Sequence, residues 1–230
     1  MSYYAWIILG SILGPLLLSF DKKVHFIGYL KALLPAILSV GIVFLIWDQY
    51  FTQNDIWGFT PKYLLGIYLG DLPLEECLFF VVVPYCCLFI YEVIRAWFPK
   101  RKSALTARIF AFLMVFSGLY LGIQHMENWY TASACIGAAL LILGMYFVNK
   151  ARWFGDFTLA FLVVLIPFLV VNGLLTGAAT PEPVVWYSEE HIIGVRIITI
   201  PLEDIYYNLC LLLPVTALYE WMKKKWRMEN

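Results

Sequence analysis

One long stretch of this sequence occurs twice in fixed register, so whatever fold the first copy adopts must also serve the second. Gly66 to Glu92 reads GIYLGDLPLEECLFFVVVPYCCLFIYE, and Gly194 to Glu220 reads GVRIITIPLEDIYYNLCLLLPVTALYE. A constant offset of 128 residues lays Pro73-Leu74-Glu75 on Pro201-Leu202-Glu203 and Glu76 on Asp204. It also lays Tyr91-Glu92 on Tyr219-Glu220, without a gap. Each copy puts two adjacent carboxylates straight after a proline, at the head of an apolar run.

Those runs decide the fold class. The 230 residues are 62% hydrophobic and 14% charged, which no soluble domain of this size supports. A spanning helix needs about 20 apolar residues. Seven such runs are legible: 3–20, 30–50, 74–98, 106–124, 130–148, 156–176 and 201–222. Pro61 to Leu72 is apolar but short, and reads as an interfacial segment leading into the third span. Lys and Arg gather after spans one, three and five and at the C-terminus (Lys22, Lys23, Lys100 to Lys102, Lys150, Arg152, Lys223 to Lys225). The positive-inside rule then puts the N-terminus outside and the C-terminus in the cytoplasm, as expected for a multi-pass inner-membrane protein. The offset carries span one onto five, two onto six and three onto seven. The expected architecture is all-α, seven transmembrane helices as 3+1+3 parallel tandem repeats. Residues 1–98 form the first repeat, 99–128 a linker helix and 129–230 the second repeat. The linker helix keeps the second repeat from being inverted, so both acidic pairs start their helices on the outer side.

Other chemistries find little support. Net charge is zero, which does not suggest nucleic acid. The five cysteines lie inside apolar runs and the three histidines are scattered, so no metal motif is formed. Neither common nucleotide fingerprint occurs. The N-terminus lacks a basic region and a small-residue cleavage site, so the first run does not read as a cleaved signal.

Acidic groups at the edge of hydrocarbon are costly and point to function. The competing reading is that Glu75, Glu76, Glu203 and Asp204 are helix-start carboxylates favoured by the dipole. Desolvation and a neighbouring carboxylate both favour a neutral carboxylic acid, which can protonate an alkene. Aromatic faces can shelter the resulting cation. Phe79, Phe80, Tyr206 and Tyr207 lie within two turns of the pairs, though ordinary packing also explains such residues.

The motifs Pro73-Leu74-Glu75-Glu76-x-x-Phe79-Phe80 and Pro201-Leu202-Glu203-Asp204-x-x-Tyr207 resemble those of the membrane-integral lycopene cyclases. These occur as two three-helix subunits or as a fused domain. The resemblance extends to Asn172 through Gly177 and to Gly194-x-Arg196. It implies cofactor-independent, proton-initiated cyclisation of the ends of lycopene to β-ionone rings, with the bilayer and other carotenoid-pathway enzymes as surroundings. It implies catalytic roles for Glu75, Glu76, Glu203 and Asp204, and substrate contacts from Phe79, Phe80, Asn172, Arg196, Tyr206 and Tyr207. Asp204, where the first copy has Glu76, is a departure. Arg196 has no counterpart in the first copy, so a cation beside Glu203 would make Glu203 the base and Glu75 the acid. Arg196 could equally snorkel to headgroups, and Asn172 could simply bond between helices. Glu92 with Arg95, and Glu220 with Lys223 and Lys224, read as surface ion pairs. Asp48, Gln49, Gln124 and His125 read as interfacial, as do Tyr3, Tyr4 and Trp6. Two alternatives remain: a related carotenoid hydratase or ε-cyclase, and a small-molecule transporter of the SWEET type. The latter shares the 3+1+3 layout, but its Pro-Gln signature is absent at Pro15-Leu16 and at the equivalent Leu143.

Overall fold

In lipid a single chain segment satisfies its own backbone only as an α-helix. The computed structural model describes residues 2–99 and 103–229, and within them the apolar runs form seven helices. They are α1 (Tyr3–Leu18), α2 (Leu30–Gln53), α3 (Leu74–Trp97), α4 (Ala104–Gln124), α5 (Trp129–Ile142), α6 (Phe154–Leu175) and α7 (Glu203–Glu229). A π-helical stretch, Leu143–Val148, extends α5. Five of these, α2 to α6, are long and apolar enough to cross a bilayer, while α1 is a shorter apolar helix. Leu17, Ile46, Phe116 and Ile166 all face outward from the bundle, the surface an all-α membrane protein presents to lipid. Lys100, Arg101 and Lys102 lie outside the described residues.

Packing follows the duplication. Helix α1 lies on α3, as α5 lies on α7. The middle helices cross over: α2 packs against α7, and α6 against α3. Helix α4 packs on α5, where Gly118 and Gly122 let the backbones approach. A Cβ on Gly118 would lie 2.7 Å from the Cys135 carbonyl oxygen.

The lead-in to each acidic pair is a tight hairpin rather than a featureless apolar segment. β2 (Tyr68–Leu69) pairs with β3 (Leu72–Pro73), and at the same offset β5 (Arg196–Ile197) pairs with β6 (Ile200–Pro201). Gly66 and Gly194 open the two hairpins at φ 78° and 81°. The Leu74 amide donates to the Ile67 carbonyl, and the Leu202 amide to that of Val195. Gly70 turns the first hairpin at φ 65°, whereas Ile198 turns the second at φ 61°, a strained conformation for a β-branched residue. Strands of two residues leave no alternating pattern, so the sequence carried no sign of them. The exposed Ile67, Leu69, Val195 and Ile198 keep the hairpins apolar on the outside, in keeping with an interfacial position. A third sheet joins the two copies. β1 (Trp57–Phe59) pairs antiparallel with β4 (Val185–Tyr187), with Gly58 opposite Trp186.

At the other end of the bundle the charges form a buried network. Lys223 Nζ donates to Glu92 Oε1 at 2.6 Å, and the Tyr219 hydroxyl reaches the same oxygen at 3.0 Å. Reciprocally, Tyr91 donates to Glu220 at 3.1 Å, and Arg95 binds Glu220 too. Arg95 also meets Glu92 at 3.4 Å and Asp156 at 3.5 Å. These groups were expected to be surface pairs. Lys223 and Glu92 are instead 4% and 6% exposed, because the pairs run between α3 and α7 and not only along each helix.

Candidate active site

Each hairpin delivers two successive helical residues, which point about 100° apart, and the two carboxylates of each pair accordingly do different things. The first of each pair ties down its own lead-in. Glu75 Oε1 accepts from the Leu65 amide at 2.7 Å and the Ser2 hydroxyl at 2.5 Å. Glu203 Oε1 accepts from the Ile193 amide and the Thr131 hydroxyl, both at 2.6 Å. Both glutamates are fully buried, and neither lines the cavity described next.

The second of each pair faces a cavity of about 60 Å³ beneath the β1–β4 sheet. Glu76 Oε2 accepts from the Tyr4 hydroxyl at 2.6 Å. Asp204 accepts from three donors: Tyr130 at 2.5 Å, Asn172 Nδ2 at 2.8 Å and Tyr187 at 3.0 Å. A third carboxyl joins them. Asp48 of α2 is 2% exposed, accepts from Tyr207 at 2.9 Å and lines the same cavity as Glu76. Burial, reinforced by the charge of Asp204, pushes the Tyr187 phenol well above its ordinary range, so it stays a donor. Trp57 closes the floor of the sheet edge-on to Tyr130 at 5.0 Å and to Tyr207 at 5.7 Å. The cavity therefore combines carboxyls on an apolar, aromatic background, a setting in which a proton can be moved and a cation sheltered.

Of the other residues singled out from sequence, Phe79, Asn172 and Tyr207 line this cavity. Asn172 also makes the interhelical bond considered for it, to Asp204. Phe80 is turned away and packs on Phe44 at 5.9 Å. Tyr206 points to α4 and donates to Ser117 at 2.9 Å. Arg196 binds Glu189 at 2.6 Å and the Thr199 carbonyl at 3.0 Å, and its guanidinium makes no bond to Glu203. Asp48 and Tyr4 were read as residues at the interface; both are instead buried inside the bundle. Helix α2 runs on to Gln53, which draws Asp48 more than a turn inside, and Tyr4 is 1% exposed against Glu76. Tyr130, Tyr187 and Trp57 were missed. Tyr130 sits at the start of α5, and Trp57 and Tyr187 pair in the short β1–β4 sheet, where nothing in the sequence sets them apart from the chain's many other aromatics.

A family model described as lycopene cyclase matches residues 1–94 and 127–222. Among curated relatives, the bifunctional lycopene cyclase/phytoene synthase of Aspergillus oryzae is 26% identical over 134 residues, 57% of this chain and 19% of that protein. Its namesake in Leptosphaeria maculans is 28% identical over 142 residues, 59% of this chain and 21% of that protein. The one in Podospora anserina is 25% identical over 173 residues, 74% and 26% respectively. The chain thus spans about a fifth to a quarter of the length of these relatives. No solved structure matches it significantly.

Proposed function

The chain belongs to the lycopene cyclase family, and on that premise we propose that it closes the acyclic ends of lycopene into β-ionone rings by proton-initiated, redox-neutral isomerisation. The observation that carries this reading is one shared, buried cavity in which Glu76 of one copy and Asp204 of the other meet aromatic rings. Glu76 is the acid. Asp48 lines the same cavity, and two carboxyls buried together can share one proton. Glu76 protonates the terminal double bond of one lycopene end and leaves a tertiary cation. The electrons of the next participating double bond form the ring bond to that cation and move the charge to its far carbon. Asp204, with three donors to hold it as a carboxylate, removes the proton from the newly bonded carbon. The freed pair becomes the ring double bond. One proton enters and one leaves, so no flavin or nicotinamide is consumed. Trp57, Phe79 and Tyr207 line the path of the charge. Purified protein in liposomes is expected to convert lycopene to monocyclic and bicyclic carotene with no added nucleotide, followed by pigment chromatography. Unchanged lycopene with well-folded protein would count against the reading.

The same proposal takes the copies as parallel three-helix repeats joined by α4 and related by an approximate two-fold axis along the membrane normal. Two seams support it. In the β1–β4 pair, Gly58 and Trp186 face each other across the sheet and stand 128 residues apart. At the far end, Tyr91 reaches Glu220 while Tyr219 reaches Glu92. With the basic residues inside, the cavity lies near the outer face of the cell's inner membrane. A reporter fused at the C-terminus is expected to be active only in the cytoplasm, and one inserted within 177–182 only outside. The opposite pattern would remove this orientation.

A further inference from the structure

We propose that a slot between α1, α3 and α6 is the way in for the apolar polyene, and that it presents one substrate end at a time to the carboxylates. This deepens the cyclase reading and rests on it.

The slot has a volume of about 230 Å³ and is walled by Pro15 of α1, Cys87 and Ile90 of α3, and Pro167 and Val171 of α6. It is apolar, as a polyene requires and as a polar or charged substrate would not tolerate. It meets the carboxylate cavity at a neck shared by both, formed by Phe79, Val83, Phe168, Asn172 and Asn208. Asn208 marks this neck as built for an occupant. It is 5% exposed, and its Nδ2 has no hydrogen-bond partner. Buried amides are rarely left so, because the lost hydration is not recovered. An N–H directed at the π face of a double bond is a recognised weak contact, and an alkene in the neck would supply that face.

The duplication provides an internal comparison. At the 128-residue offset, Asn208 corresponds to Phe80, and Asn172 to Phe44. On that side the two phenylalanines pack together at 5.9 Å, and Phe44 also meets Tyr207 at 5.2 Å. Phe80 and Phe44 are 1% and 4% exposed. The two asparagines stand at an open neck, and their counterparts fill the other. A bicyclic product therefore requires the monocyclic intermediate to withdraw and return reversed.

The test uses the whole 230-residue chain in nanodiscs with lycopene as probe. Two readouts are taken: dichroism induced in the polyene absorption band, which reports a bound chain, and turnover. Val171→Trp fills the slot, and Cys87→Phe fills it from the facing wall. Val43→Trp is the control, since Val43 is the counterpart of Val171 and faces outward. Both slot variants are expected to lose the induced dichroism and at least tenfold in turnover, with Val43→Trp unchanged. If Val171→Trp fails to fold, Cys87→Phe carries the test. Native dichroism and turnover in the folded slot variants, or equal losses in Val43→Trp, overturn the proposal. A native protein that shows the dichroism but forms no ring removes the cyclase reading and leaves the polyene slot standing.

Discussion

Glu76→Gln and Asp204→Asn are each expected to lower ring formation by about 10²–10⁴-fold, the range lost when a general acid or base is removed. Each amide keeps the size of its carboxyl and can still accept from Tyr4 or Tyr130, so the cavity persists while proton transfer stops. Glu75→Gln and Glu203→Gln are expected to stay within about tenfold of native, a difference of orders of magnitude from the cavity variants. Their remaining carbonyl oxygen can still hold the Leu65 or Ile193 amide. Their new NH₂ takes the place of an Oε2 that is buried without a partner. That costs about 1–3 kcal/mol of stability, read as a lower melting temperature and not as lost chemistry. Pigment analysis at matched amounts of folded protein separates the two sets. If Glu75→Gln and Glu203→Gln fall as far as the cavity variants, the chemistry is not confined to the second carboxylate of each pair.

Lys223→Met is expected to destabilise the bundle by about 3–5 kcal/mol, the usual effect of stripping one partner from a buried ion pair. Glu92 would keep Tyr219 and Arg95 but lose its closest cation, at 2.6 Å. Combining Lys223→Met with Glu92→Gln is expected to recover part of the loss, because the uncompensated charge is removed as well. Unfolding in detergent, followed by the fluorescence of a C-terminal fusion, measures both. A single variant within about 1 kcal/mol of native would mean that the network is better hydrated than its burial implies.

Helix existence was legible because seven long apolar runs admit one backbone solution in lipid, and the duplicated motif pointed to the correct ends of α3 and α7. What the motif could not say was which carboxylate faces inward. Glu75 and Glu76 differ by one residue in sequence but by about 100° around the helix, and the hairpin that fixes the rotation is only two residues per strand. Asp48 was hidden for a different reason. Its partner Tyr207 is 159 residues away, and a lone aspartate near the end of an apolar run looks interfacial when the helix end is misplaced by one turn. The ion pairs were misread because helical spacing explained them locally. Their depth comes from packing between helices, which no local pattern records.

The β1–β4 seam also sets what each half of the chain will accept as company. Gly58 and Trp186 occupy the same place in the two copies yet are opposites in size, and a Cβ on Gly58 would run into the Trp186 ring. On the proposed two-fold, a pair of first halves would set glycine against glycine and leave a hole the width of an indole. A pair of second halves would set indole against indole in the space made for one. On that proposed two-fold, the seam favours one half of each kind over a pair of like halves, because glycine and indole fill the space together.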